Sequence, residues 1–138
     1  MGYNDTLQKL EEAAAKTVTD AAIAGLNVYT GHDSDSNVLP KVVCHASNAT
    51  EFPKFSGNFN VTLNVAIEAS ADDTTVADYR TLVNTVNDLF MDSAIAATLT
   101  SKASNFHAIG VVTEGMDSST IERNWRTELN LAVYCFAS

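Results

Sequence analysis

The chain has 138 residues, the length of one ordinary domain, and 46% of them are hydrophobic, enough for a buried core. Seventeen acidic residues against eight basic ones give a formal charge of −9, which argues against a protein that grips nucleic acid or docks on an anionic membrane surface. No run of residues approaches the ~18 consecutive apolar positions of a membrane span.

Residues 5–24 are predicted to form a helix with a narrow apolar stripe. Apolar residues recur there every three or four positions, at Leu7, Leu10, Ala14, Val18 and Ala21. Asp5 and Gln8 have the spacing of a capping pair, and Gly25 supplies the stop. Because the stripe is rich in alanine, another element can pack closely against this helix.

Two short strands are predicted after this helix. Residues 27–30 form the first and residues 38–46 the second, in which Pro40 marks an edge or a bulge. The segment 31–37 connects them. Residues 47–58 then have the Pro, Gly and polar content of a long turn.

Residues 59–68 give the clearest strand pattern in the chain. Small or polar residues alternate there with apolar ones, and the apolar positions are Phe59, Val61, Leu63, Val65 and Ile67. Because only one face is apolar, the strand is expected in an antiparallel sheet with one uncovered face, rather than in a parallel sheet covered on both faces.

Residues 75–91 are predicted to form the second long helix. The candidates for its N-cap are Asp72, Asp73 and Thr75. Its apolar stripe consists of Val76, Tyr79, Leu82, Val83, Val86 and Phe90. Asp92 or Ser93 is then expected to cap a short helix that ends near residue 101.

The C-terminal part of the chain predicts two strands. Residues 106–113 form the first, residues 115–123 a connecting loop, and residues 124–136 the last strand. One face of the last strand carries Trp125, Thr127, Leu129, Leu131, Val133 and Cys135. The opposite face carries Arg126, Glu128, Asn130 and Ala132.

These elements follow the order α-β-β-β-α-(α)-β-β, in which long helices separate runs of strands. Such an order predicts one α+β domain over residues 1–138. We expect a mostly antiparallel sheet with two long helices and one short helix packed on one face.

One loop begins like a calcium-binding loop. Residues 33–37 place oxygen ligands at its first, third and fifth positions. Val38 stands where the sharp turn requires glycine, and Cys44 stands where a bidentate glutamate should close the site. An acidic, hydrated turn is therefore expected here rather than a metal site.

The cysteines and histidines do not form a recognisable catalytic or metal site. Cys44 and Cys135 are expected to be buried free thiols. His32, His45 and His107 lack the spacing of a helical zinc site. His45 follows Cys44 directly in a strand, so their side chains point to opposite faces and cannot act as a nucleophile and its base.

No nucleophile elbow, phosphate loop or dinucleotide fingerprint is present in the sequence. The paired carboxylates Asp72-Asp73 and Glu11-Glu12 are explained by helix capping and by hydrated helix faces. We therefore expect no catalytic residue, no cofactor and no metal. An enzyme or small-ligand domain with an unrecognised site is kept as an alternative.

The polar faces of the two best strands have two possible interpretations. Asn60, Thr62, Asn64 and Ala66 on one strand are small or polar, as are the outward residues of the last strand. Such a face is either simply hydrated or a flat surface against which another subunit packs. Trp125, the only tryptophan, is expected to lie in the core.

The segment 106–136, the helix before it and the strand 59–68 together resemble the tail terminator and related head–tail connector (neck) proteins of long-tailed bacteriophages. The resemblance rests on the order and length of the elements and on the long terminal strand from Asn124 to Cys135. The resemblance covers residues 55–136, and the predicted N-terminal helix also fits the family's order of elements.

The resemblance implies a structural protein of the virion, made in the host cytoplasm. Its copies would form a homo-hexameric ring at the head–tail junction, which caps the tail tube and lets DNA pass without binding it. Its partners would be identical subunits, the tail-tube protein and connector proteins, with no membrane involved. A head-completion protein of similar fold is the nearest alternative.

Six copies would carry a formal charge of −54, six times −9, so their repulsion opposes association. Basic residues are therefore expected where subunits meet. Arg123 and Arg126 flank Trp125 and are the first candidates, and Arg80 on the second long helix is a further one.

Overall fold

The computed structural model describes residues 3–31, 38–54, 56–121 and 123–137. Its helices are Tyr3–Asp20 (α1), Val76–Met91 (α2) and Ile95–Lys102 (α3). Its strands are Asn27–Thr30 (β1), Lys41–Glu51 (β2), Phe59–Ser70 (β3), Phe106–Ile121 (β4) and Asn124–Ala137 (β5). The predicted α+β class is confirmed.

The strands form one mixed sheet in the order β1-β2-β3-β5-β4. β1 pairs with β2 in parallel, and the other pairings are antiparallel. Leu63 in the central strand β3 stands opposite Ala46 on one side and Leu131 on the other. The two strands with the best alternation in the sequence, β3 and β5, are therefore direct neighbours.

The core lies between one face of this sheet and the helices. Apolar residues of β3 and β5, among them Leu63, Ile67 and Leu131, belong to the same buried cluster as Leu10 of α1 and Val86 of α2. Side chains of a strand alternate between faces, so the residues between these apolar positions lie on the opposite face. That second face, without a helix among the described residues, is called the open face below.

The first helix differs from its prediction at both ends. It begins at Tyr3, so Asp5 lies inside its first turn and is not a cap. It ends at Asp20, which leaves Ala21 exposed, and the chain turns before Gly25 adopts a φ of +74°. Thr17 is buried on the packed face, where its hydroxyl donates to the Ala13 carbonyl oxygen at 2.8 Å.

The second helix has the boundaries that the sequence predicts. Thr75 is its N-cap, and its hydroxyl oxygen accepts from the Asp78 amide at 3.2 Å. The third helix begins at Ile95, later than predicted. The Asp92 carboxylate accepts from the Ala94 amide at 2.8 Å and so stabilises the turn before α3 instead of capping it.

Two strands are longer than predicted because bulges interrupt their alternation. β2 begins after Pro40 and continues to Glu51 through an irregularity between Ser47 and Thr50, so the turn predicted at 47–58 is shorter. β4 continues to Ile121 through the segment predicted as the loop 115–123, with irregularities near residues 109 and 114. Residues 116–120 are all exposed, which removes the apolar periodicity that marks a strand.

Candidate subunit-contact surfaces

The three arginines predicted to lie at subunit contacts are found at one end of the sheet. Arg126 lies near the start of β5, and Arg123 lies in the turn between β4 and β5. Arg80 on α2 shares a groove with Trp125. The three thus lie at the same end of the sheet, with Arg126 on the open face and Arg80 beside Trp125 on the helix face.

Arg126 is engaged within its own chain on the open face. Its guanidinium lies 3.3 Å from Glu68 and 2.8 Å from Glu128. Glu68 also lies 3.8 Å from Lys41 and accepts from the Asn124 amide nitrogen at 2.9 Å. This network joins β2, β3 and β5, so Arg126 already stabilises the subunit, whatever it contacts outside it.

Arg123 and Arg80 are less engaged. Arg123 is 82% exposed, and its guanidinium lies 4.0 Å from the exposed Asp72 carboxylate, a geometry that contributes little to stability. Arg80 is exposed on α2, and no carboxylate of the described residues forms an ion pair with it.

A groove of about 340 Å³ separates α2 from the second half of β4. The rings of Tyr79 and Trp125 stack there with their centroids 6.0 Å apart. The Trp125 indole nitrogen donates to the Thr74 carbonyl oxygen at 3.2 Å. Trp125 is half-buried and packs against the core cluster, so it belongs to the core edge rather than to its centre.

A chain of hydroxyl groups lies at the bottom of this groove. The Tyr79 hydroxyl lies 3.1 Å from the Ile67 carbonyl oxygen and 2.7 Å from the Thr127 hydroxyl. Thr127 in turn lies 3.0 Å from the Ser118 hydroxyl. Burial raises the pKa of Tyr79 above its ordinary value, with a smaller opposing effect from the Thr127 hydrogen bond, so the phenol keeps its proton at neutral pH.

The open face is flat and mostly polar in its middle. The Asn64 side-chain amide donates to the Asn130 side-chain oxygen at 2.9 Å across β3 and β5. Ala66 and Ala132 lie beside this pair. Toward the other end of β5 this face becomes aromatic, with Tyr134 and Phe136, which the sequence interpretation did not single out.

Exposed apolar side chains concentrate along β4. Among the described residues, seven large apolar side chains are exposed. Four of them lie on β4 or beside it, namely Met91, Ile109, Val112 and Met116. We call these four the β4 strip. The sequence analysis does not single out these side chains: Ile109 and Val112 fall in the predicted strand 106–113, and Met116 falls in the predicted loop 115–123.

Glu11 has a structural role that its position in a Glu-Glu pair did not suggest. Its carboxylate accepts from the Ala46 backbone amide at 2.8 Å and lies 3.1 Å from the His45 imidazole. The hydrogen bond to Ala46 lies just beyond Thr30 and Cys44, the last residue pair of β1 and β2. Glu11 therefore occupies a hydrogen-bonding position at the edge of β2 and is not a hydrated surface residue.

Cys44 and Cys135 are buried free thiols, as predicted. Burial raises the pKa of each thiol to about 12. His45 lies on the opposite face of β2 from Cys44, and His107 is exposed on β4 with its ring 5.3 Å from that of Phe136.

Among residues 3–31, 38–54, 56–121 and 123–137, no group of three His, Cys, Asp or Glu side chains could hold a metal ion. The calcium-like segment 33–37 and His32 lie outside these residues. In the same part of the chain, no helix is both long enough and apolar enough to cross a membrane.

No protein-family model matches the sequence, and comparison with curated proteins finds no match either.

Proposed function

We propose that this chain is a structural virion protein, a tail terminator whose copies form a ring at the head–tail junction of a long-tailed bacteriophage. The ring caps the tail tube and lets DNA pass. The order and length of the elements, with the long terminal strand paired beside β3, support this assignment.

The β4 strip is the observation that carries the proposal. β4 is the last strand of the sheet, so its outer side has no strand neighbour among the described residues. Val112 is 65% exposed and Met91 56% exposed. Val112 stands opposite Ala132 on the open face, and Met116 stands opposite Leu129 on the helix face. Apolar side chains exposed on both faces beside an unpaired strand edge are unfavourable in a lone soluble protein and are typical of a surface that another protein covers.

The formal charge fits a channel through which DNA passes. Six copies carry −54, and carboxylates that face the lumen would repel the phosphates instead of binding them. The tail-tube protein would cover one side of the ring and connector proteins the other. Localisation in the tail and neck follows from the same proposal.

The assembly state tests the proposal directly. We expect native mass spectrometry to find six copies, and negative-stain images to show rings, for the chain alone or with its tail-tube partner. A chain that stays monomeric in both samples would refute the proposal. A ring that binds head proteins but not the tail tube would instead favour a head-completion protein.

The arginines are tested by charge reversal at exposed positions. Arg80→Glu and Arg123→Glu leave the network of Glu68 intact, so the subunit should stay folded while the ring weakens if they lie at contacts. Lys16→Glu on the exposed side of α1 is the matched control, since it changes the charge by the same amount. Equal effects of all three would show only general repulsion.

A small-ligand domain is the second candidate, and the groove beside α2 favours it. Its volume of about 340 Å³ falls in the range of small-molecule sites, and its aromatic wall and hydroxyl groups suit a ligand with both apolar and polar parts. A monomer that carries a metabolite in native mass spectrometry would support this candidate over the ring.

A further inference from the structure

The geometry points to a head-to-tail joint between copies, in which Phe52 of one copy inserts into a pocket of the next copy between the α2–α3 turn and β4. This inference rests on the proposed function, because it says how the ring is held together. A joint between two different patches is heterologous, and heterologous contacts close into rings when the rotation between copies permits.

Phe52 is an exposed apolar side chain on a hydrogen-bonded stretch of backbone. It follows β2 and is 67% exposed. Its amide donates to the Asn58 carbonyl oxygen at 3.0 Å, and its own carbonyl oxygen accepts from the Tyr134 hydroxyl. The Gly57 amide donates to the Glu51 carboxylate at 3.0 Å and closes the turn. Because the backbone of Phe52 is bonded on both its amide and its carbonyl side, little backbone entropy is lost when its phenyl ring is buried.

The pocket has an apolar floor and an exposed rim. Its volume is about 440 Å³, large enough for a phenyl ring. Its apolar lining includes Phe90, Met91, Ile95, Ile109 and Val111, and Asp92, Ser93 and Thr113 are the polar residues beside them. Phe90 and Ile95 are buried at its floor, whereas Met91 and Ile109 are exposed. A phenylalanine seated here would cover half of the β4 strip.

A second copy must supply the occupant, because the sheet separates the two patches. Tyr134, which binds the Phe52 carbonyl oxygen, lies on the open face. The pocket is walled by residues of α2 and α3 and therefore lies on the helix face. A copy cannot reach its own pocket through the sheet.

The charges beside the two patches are complementary. Lys54, exposed two residues after Phe52, accompanies the aromatic ring, and Asp92 lies exposed at the rim of the pocket. Opposite charges at a rim orient the partners and reject wrong ones more than they add affinity. In a chain of charge −9, a cation placed beside a partner's carboxylate also lowers the repulsion between copies.

The joint is tested with one variant for each patch. Phe52→Ala removes the side chain, and Ile109→Lys places a cation at the rim to repel Lys54. Both positions are exposed, so circular dichroism and urea unfolding should match the wild type. Each variant alone should weaken association at least ~30-fold, the loss expected for a buried aromatic anchor. Val38→Ala, at another exposed apolar position, should leave the ring unchanged.

An equimolar mixture of Phe52→Ala and Ile109→Lys provides the decisive measurement. The Ile109→Lys copy keeps its Phe52, and the Phe52→Ala copy keeps its pocket, so one intact joint forms per pair. Native mass spectrometry should find a dimer of one copy of each and no ring. A mixture without this dimer would overturn the inference.

The failure of the joint is distinguishable from the failure of the ring. If the wild type and both variants all form rings of equal stability, the inference is wrong and the proposed function stands. If the wild type stays monomeric with and without the tail-tube partner, the proposed function fails, and the joint fails with it.

Discussion

The hydroxyl chain beneath α2 gives a prediction that can be worked out from the structure. Tyr79→Phe removes a hydroxyl that bonds to the Ile67 carbonyl oxygen at 3.1 Å and to Thr127 at 2.7 Å. The aromatic ring stays, so its burial and its stacking on Trp125 are kept. With one proton shared between two acceptors, the loss should be about 1–2 kcal/mol in the free energy of unfolding.

Thr127→Val should cost less, about 0.5–1.5 kcal/mol, because Tyr79 keeps its bond to Ile67 and the exposed Ser118 can bond to water. The double variant loses the shared bond only once. We therefore expect a coupling energy of about 0.5–1 kcal/mol between the two positions, measured by urea unfolding with an unchanged m-value.

Ser118→Ala is the control for this cycle, since Ser118 is exposed and its loss should stay within about 0.5 kcal/mol of zero. If the losses from Tyr79→Phe and Thr127→Val simply add, the two hydroxyls do not interact, and the docking of α2 on β5 through this bond is refuted.

Four further predictions concern the core, the thiols, Arg126 and the ring. Leu131→Ala should cost ~2–5 kcal/mol by urea unfolding, because Leu131 is 1% exposed in the core; no change would mean that the face of β5 is wrongly assigned. Iodoacetamide at pH 8 should modify Cys44 and Cys135 only in the unfolded chain. Folding raises the pKa of both thiols from 9.0 to about 12. Their contribution to the free energy of unfolding should therefore be fully present below pH 9 and should be lost as the pH rises toward 12. Arg126→Glu should lower the free energy of unfolding by ~1–3 kcal/mol, because it places a third carboxylate beside Glu68 and Glu128. Arg126→Lys keeps the positive charge and should lower it less. Added NaCl should raise the ring fraction in native mass spectrometry or light scattering, and a falling fraction would show that ion pairs hold the ring.

The strands that the sequence predicts well are those with one face in the core. β3 and β5 alternate because most of the side chains on one of their faces enter the same buried cluster. The second half of β4 pairs with β5 just as fully, yet both of its faces meet water, so no alternation marks it. Backbone pairing without burial leaves no apolar pattern in a sequence.

The contacts that the sequence cannot predict are those between distant residues. Glu11 in α1 accepts from Ala46 on β2, and only the fold brings these two together. Charge alone predicts the three arginines at contacts, and only the fold shows that they lie at one end of the sheet, on two different faces. It also pairs Arg126 internally with Glu68, which composition could not foresee.

The position of the cations bears on how an acidic chain can assemble at all. Arg126 is held between two carboxylates of its own subunit, so less of its charge is available for a contact outside the subunit. Arg80 and Arg123 remain, and exposed ion pairs contribute only ~0.2–1 kcal/mol each. Repulsion among copies of charge −9 must therefore be offset mainly by apolar burial. Phe52 and the two members of the β4 strip at the pocket, Met91 and Ile109, are the exposed apolar groups best placed to provide it, because they belong to two different patches of the subunit, as a head-to-tail ring requires.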